Sequence, residues 1–338
     1  MSNSAKAQWT PTVERIAKSR MTSFAQTANE PGDLHAWSIA QPDQFWSLVW
    51  DQCGVVGEKG ARAYVAPQAG ASMSTAQFFS DARISVVENM LATTGGHDAL
   101  VAIDEVGNRR TRSWDELRSR VASIASALQA RGVAAGDRVA AWLPNSIEAI
   151  EVMLGAASIG AVFSSSSPDF GANGVLDRFG QIEPKVLFAV DGYLYNGKQF
   201  DCLERLNEIR KGLPTVVETI VVSSIGTVVP EGAVAYNDFV ASGSNTPVSP
   251  QRFAFDHPWY VLYSSDTTGI PKCIVHRTGG VLLQHMKEHQ LHCDIQQADR
   301  VMYFTTTGWM MWNWLVSVLA SGATAVLFDG APTAPTMS

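Results

Sequence analysis

Between residues 95 and 222 helical patterns alternate with short apolar runs, and this alternation restricts the fold more than any other feature of the chain. Ser113 followed by Glu116 makes a capping box, after which Trp114, Leu117, Val121, Ile124 and Leu128 recur at helical spacing until Gly132 stops the helix. Residues 138–143 read as a strand, Pro144-Asn145 as a break, 147–159 as a helix and 161–164 as a second strand. Pro168 and Gly171 open a further helix that ends before Pro184. Residues 185–190 follow as a strand, and 200–211 with 218–222 repeat the pair. Such alternation predicts an α/β protein with a largely parallel sheet covered by helices. Residues 223–253 read as connection, with one amphipathic patch at 236–240. Beyond them strands are expected at 259–263, 273–276, 300–305 and 324–328, and helices at 280–293 and 309–320.

The strand at 259–263 delivers the chain into Tyr263-Ser264-Ser265-Asp266-Thr267-Thr268-Gly269-Ile270-Pro271-Lys272. Hydroxyls and backbone N–H groups donate to anionic oxygens, Gly269 admits a close approach, and Lys272 adds a full positive charge. A loop of this kind at a strand end is suited to holding phosphate oxygens. It is not a P-loop, because no G-x-x-x-x-G-K-[ST] occurs and Lys272 is followed by Cys273. An ordinary solvated turn is the competing reading of the composition.

The order of residues resembles the phosphate-binding signature of the adenylate-forming enzymes, the acyl-CoA synthetase and luciferase superfamily, whose pattern runs Tyr-Ser-Ser-Gly-Thr-Thr-Gly-x-Pro-Lys. Downstream, Gly279-Gly280-Val281-Leu282-Leu283-Gln284-His285 and Thr305-Thr306-Thr307-Gly308-Trp309-Met310-Met311-Trp312-Asn313-Trp314 are similar to the branch that activates acetoacetate rather than acetate. Upstream, Asp33-Leu34-His35-Ala36-Trp37-Ser38, Phe45-Trp46 and the run from Trp50 to Val55 resemble the extension that such synthetases carry ahead of the nucleotide domain. The resemblance implies a mainly helical extension over residues 1–94 and an AMP-binding domain over 95–338. It also implies that the adenine-side aromatic motif, the ribose-binding Asp, the hinge and the mobile C-terminal domain with its catalytic lysine lie beyond Ser338. On that reading the chain is a fragment and is not expected to complete the reaction alone.

The implied reaction is ATP-dependent ligation of acetoacetate to coenzyme A through an acyl-adenylate, with Mg²⁺ accompanying the nucleotide. It depends on positioning and charge neutralisation, which agrees with a loop that carries no nucleophile triad. The resemblance makes Ser264, Ser265, Asp266, Thr267, Thr268, Gly269 and Lys272 the nucleotide-binding set, with Thr268 and Lys272 in the catalytic roles. It places Gly308, Trp309 and Met310 beside the acyl pocket. A ligase for acetate or propionate, and a noncatalytic binding fragment, are the alternatives. Asp266 departs from the family pattern, where glycine stands. A carboxylate about 4 Å from a phosphate charge costs roughly 4 kcal/mol at an effective dielectric near 20.

Composition narrows the partners. With 338 residues and 46% hydrophobic content the chain can bury a sizeable core and is long enough for about two domains. A net charge of −7 disfavours a nucleic-acid partner, and anionic substrates then require local positive groups such as Lys272. Cys53, Cys202, Cys273 and Cys293 lie far apart without C-x-x-C spacing, which fits reduced thiols and a cytoplasmic setting. No secretory signal or long apolar run occurs, so no membrane partner is expected, and no protein partner is predicted. His285, His289 and His292 share a helical face without a clear fourth ligand, so no metal site is assigned. Trp312 and Trp314 are expected in the core.

Overall fold

The computed structural model describes residues 8–29, 32–245, 251–264 and 269–334. It opens with helices α1 (Val13–Lys18), α2 (Arg20–Thr27), α3 (Leu34–Ala40) and α4 (Pro42–Gln52). The side chains of Thr12, Ser19 and Asp33 accept from N–H groups in the first turns of α1, α2 and α3, while α4 begins on Pro42. After residue 56 the chain turns mostly to short strands, with a 3₁₀ turn at Met73–Thr75. It forms the two-residue strands β1 (Gly57–Glu58), β2 (Tyr64–Val65), β3 (Gln77–Phe78) and β4 (Arg83–Ile84), then helix α5 (Val86–Met90).

The rest runs β5 (Asp98–Asp104), β6 (Arg109–Ser113), α6 (Trp114–Ala130), β7 (Arg138–Trp142), α7 (Ile147–Ser158), β8 (Val162–Ser166), α8 (Ala172–Ile182) and β9 (Val186–Val190). It continues through β10 (Gly192–Tyr195), β11 (Lys198–Asp201), α9 (Leu203–Gly212), β12 (Glu218–Val222), β13 (Val234–Ala235), α10 (Tyr236–Ala241) and β14 (Phe253–Ala254). The last elements are β15 (Pro258–Tyr263), β16 (Cys273–Arg277), α11 (Thr278–Lys287), β17 (Arg300–Met302), α12 (Met310–Val316) and β18 (Thr324–Asp329).

Two sheets carry the architecture. Seven strands in the order β13-β12-β9-β7-β8-β15-β16 are parallel throughout except at the β15–β16 pair. Four strands in the order β17-β18-β5-β6 form the second, with only β5–β6 antiparallel. Every residue of β8 and β9 is buried, as befits central parallel strands covered on both faces. Helices α6 and α7 cross so closely that a Cβ on Gly155 would lie 2.4 Å from Ile124 Cγ2. Only glycine fits there. A small sheet, β1-β4-β14, ties the N-terminal stretch to the segment ahead of β15, and the apolar core runs without a break from Phe24 and Trp50 to Leu327. No helix among the described residues is long and apolar enough to cross a membrane.

Several sequence expectations need correction. The largely parallel sheet is present as expected, and β5 and β6 pair with β18 and β17 in a further sheet for which no strands at 98–113 were expected. Residues 200 and 201 belong to β11, not to the following helix, which starts at Leu203. Asn196 and Gly197 turn this β10–β11 hairpin with positive φ of 52° and 71°, Tyr193 stacks on Phe200, and the Glu105 carboxylate accepts from both turn N–H groups. The helix expected at 280–293 is α11 followed by a π-turn over Glu288–His292, which carries His289 inward against Trp314 at 4.4 Å. The strand expected at 300–305 stops at Met302, and the helix expected at 309–320 passes into a 3₁₀ turn at Ser317.

The capping box is present in full, with Glu116 N donating to Ser113 Oγ and Ser113 N donating to the Glu116 carboxylate. The Ser113 N–H and hydroxyl hold the Glu116 carboxyl below its usual range. That contribution is present above the ordinary carboxylate pKa and is lost as pH falls through the lowered one. Ser113→Ala is therefore expected to cost about 1 kcal/mol at neutral pH. Urea midpoints taken at pH 7 and pH 3 check this, since the gap between variant and parent should narrow in acid.

Candidate active site

The seven-stranded sheet reverses direction at β7, whose helical connection leads to β8 on one side while that of β9 leads to β12 on the other. Ligands of open α/β sheets gather at the carboxyl ends of the strands around such a point. A cavity of about 390 Å³ opens there, bordered by Asn145, Val190, Val222 and Asp329. Burial pushes the Asp329 carboxyl up to about 7.

The hydroxyl-rich loop leaves the same end of the sheet two strands further along, from β15. Its neck is closed by two reciprocal bonds: Ser264 N donates to Lys272 O at 3.0 Å, and Lys272 N donates to Ser264 Oγ at 2.9 Å. Gln181 of α8 braces the returning arm by donating to Pro271 O at 2.7 Å. Gly269, Ile270 and Lys272 are exposed. Ser265, Asp266, Thr267 and Thr268 lie outside the described residues. The oxygen of Ser264 is thus engaged in shaping the neck, while its hydroxyl proton is available to an acceptor.

The end of β8 holds two pieces of the site together. Ser164 Oγ donates to Val261 O at 3.0 Å and lies 2.9 Å from the Tyr263 hydroxyl, which fixes the strand that enters the loop. Burial raises the Tyr263 pKa and keeps that phenol neutral. The next residue, Ser165, donates to Thr307 O at 2.7 Å, and Thr307 Oγ1 donates to Leu143 O at 2.7 Å. This pins the turn that presents Gly308, Trp309 and Met310. A Cβ on Gly308 would come within 3.3 Å of the Phe170 ring. Trp309 is 57% exposed and Met310 48%, whereas Trp312 is fully buried. Arg178 lies over Phe170 and over Tyr263, at 4.4 and 5.9 Å from the ring centroids, and so spans the space between turn and neck.

Sequence reasoning passed over Ser164, Ser165 and Asn145. Asn145 accepts from Trp312 Nε1 at 2.9 Å and donates to Thr305 O and Phe328 O, joining the turn after β7 to α12 and β18. The available signal was polarity in the wrong place, a run of serines ending a strand that is otherwise apolar.

Of the three histidines, His285 and His289 are interior groups and His292 is exposed. His285 Nδ1 lies 2.9 Å from Ser317 Oγ, and His289 is fully buried beside Trp314. Among the described residues no group of three His, Cys, Asp or Glu is arranged to hold a metal. Burial depresses His285 to about 4 and His289 to about 3. Both are neutral when folded, so the unfolded chain takes up protons first as pH falls below 6.5, and stability is lost from there down to about 4 for His285 and about 3 for His289. Thermal midpoints should fall over that window, and His289→Phe, which removes a ring with no hydrogen-bond partner, should flatten the fall.

The family model described as AMP-binding enzyme matches residues 87–338, and the chain belongs to that family. Its described part has the α/β architecture of the N-terminal domain of the adenylate-forming fold. The chain is 46% identical to an acetoacetyl-coenzyme A synthetase of Rhizobium meliloti (strain 1021), an alignment covering 97% of this chain and 52% of that protein. It is 40% identical to a malonamoyl-CoA synthetase of Penicillium aethiopicum, over 89% of this chain and 44% of that one. Among solved structures, an acetoacetyl-CoA synthetase from Streptomyces lividans superposes with a TM-score of 0.91 at 42% identity, covering 97% of this chain and 52% of the other. The chain spans about half the length of the curated relatives it matches.

Proposed function

We propose that this chain carries the phosphate-gripping and acyl-facing parts of an ATP-dependent ligase that joins acetoacetate to coenzyme A through an acyl-adenylate. One observation carries the reading. Adjacent serines at the end of β8 hold both the strand that enters the hydroxyl loop and the turn that presents Trp309. A nucleotide phosphate gripped by one and a carboxylic acid seated on the other would meet at the same strand end, as in-line attack on a phosphorus requires. In this reading Ser264, Ser265, Thr267, Thr268 and Gly269 hold the β- and γ-phosphates, and Lys272 offsets their charge. Thr268 and Lys272 carry the catalytic roles, and Mg²⁺ arrives bound to the nucleotide. The exposed ammonium of Lys272 at a hydroxyl-rich neck fits a polyphosphate.

Trp309 and Met310 set the size of the acid. Acetoacetate and malonamate, the acids named by the relatives above, both carry a carbonyl two bonds from the carboxylate carbon, and a short 3-oxo acid is the substrate class we favour. The same reading takes residues 1–94 as an extension and 95–338 as the nucleotide domain, and places the protein in the cytoplasm with small molecules as its partners.

Binding is the appropriate test, because it does not require the complete reaction. In calorimetric titration with MgATP, Asp266→Gly should bind at least about tenfold more tightly than the parent, since roughly 4 kcal/mol of repulsion near a phosphate is relieved in part. Lys272→Ala should bind more weakly. No gain on Asp266→Gly together with no loss on Lys272→Ala would sink the assignment of this loop to phosphate.

A further inference from the structure

We propose that the seam between the N-terminal helices and the nucleotide domain holds a second anion site, which takes a small molecule bearing a phosphate or carboxylate group. The site is a cavity of about 460 Å³, walled by Arg20 at the start of α2, Thr93, Thr94 and His97 ahead of β5, and Gln290 and Gln297 after α11. These supply a guanidinium, an imidazole, two hydroxyls and two carboxamides. No carboxylate lines the cavity, although acidic residues outnumber basic ones by 32 to 25 in the chain. A wall rich in donors and free of acids, in an acidic protein, is complementary to an oxyanion.

The arginine is held for this purpose by neutral partners. Its Nη1 donates to the Gln290 side-chain oxygen, and the Gln290 amide in turn donates to Cys53 O at 3.3 Å, so a carboxamide only 3% exposed fixes the direction of the fork. Asp294, the nearest acid bonded to this residue, accepts from its backbone N at 3.0 Å. Among the described residues no carboxylate oxygen lies within ion-pair distance of the guanidinium. Burial pushes the Cys53 thiol up to about 12, with Arg20 and Lys287 acting in the opposite direction. At the floor the groups converge: a Cβ on Gly322 would lie 3.1 Å from Thr93 Oγ1 and 3.0 Å from Gln297 Cγ. An arginine fork held in place and short of a counter-charge binds phosphate or carboxylate in two-point fashion, with His97 and the threonine hydroxyls as further donors.

The wall is shared between the extension and the domain, so a bound anion stabilises their contact in proportion to its saturation. This inference does not depend on the hydroxyl loop, and the test separates the two. The full 338-residue chain is titrated with inorganic phosphate and, in a second arm, with acetate, by calorimetry and thermal shift in a buffer free of other multivalent anions. Saturable binding of either is expected. Phosphate alone marks a phosphorylated ligand and acetate alone a carboxylate, and both outcomes support the site. Arg20→Gln should weaken binding about tenfold and His97→Gln, at an exposed position, about threefold, while Lys272→Gln leaves this component unchanged. Absence of saturable binding to the parent, or titration of the Arg20 and His97 variants like the parent, overturns the proposal. If circular dichroism shows Arg20→Gln unfolded, the His97 variant decides.

Discussion

Glu151→Ala lowers the stability of this protein by about 3–5 kcal/mol, the expectation for removing one partner of a buried ionic cluster. The carboxylate sits on the inner face of α7 with no exposed surface. It accepts from Arg112 Nε at 2.8 Å, Arg120 Nε at 2.9 Å and the Tyr236 hydroxyl at 2.6 Å. It thereby joins four elements, namely β6, α6, α7 and α10. Without it two guanidinium groups keep their charge and lose their counter-charge, and a buried phenol loses its acceptor. Both arginine side chains retain about a quarter of their surface in water, at 22% and 25%, which draws the effect toward the lower end of the range. Arg120 also keeps its place over the Tyr236 ring. Urea unfolding followed by circular dichroism measures the change. A loss below about 1 kcal/mol would mean that water enters and replaces the carboxylate.

The second large effect belongs to Asn145. Its side chain makes three bonds in a setting 2% exposed, and alanine leaves the Trp312 indole N–H and two backbone carbonyls without that partner. Leaving such groups unmade costs about 2–3 kcal/mol in sum, because the Thr305 bond at 3.4 Å is already weak. The indole bond can be isolated with Trp312→Phe in a double-mutant cycle, where the paired change should destabilise less than the two single changes added. Strict additivity would show that Asn145 acts on the carbonyls alone. Since Trp312 lies one turn into α12 from Trp309, the same change should loosen the turn that presents Trp309 and Met310.

Where the pattern was local, the sequence was readable. The α6 helix runs from Trp114 to Ala130 because a capping box, a periodic apolar face and a following glycine agree, and β9 is an unbroken apolar run. The two-sheet arrangement was not readable, because β5 pairs with β18 across more than two hundred residues and neither strand announces its partner. Asn196-Gly197 is a strong hairpin signal lying in a stretch to which no element was assigned, and its second strand, β11, overlaps the start of the helix expected from residue 200. In the site, the loop stood out by residue order, whereas Ser164 and Ser165 did not. Their importance comes from what the fold brings opposite them, the backbone of Val261 and of Thr307.

The seven-stranded sheet is lopsided. At one rim it tapers into the two-residue β13, which is followed at once by α10. At the other, β16 presents five residues whose outer backbone groups have no strand beside them among the described residues, with Ile274 and Val275 facing water. The β16 rim is thus the longer of the two edges of this sheet among the described residues. Because Lys272 immediately precedes Cys273, a newcomer laid along that rim would stiffen the very backbone from which the lysine springs. The open rim and the lysine of the proposed phosphate loop thus share one short stretch of chain.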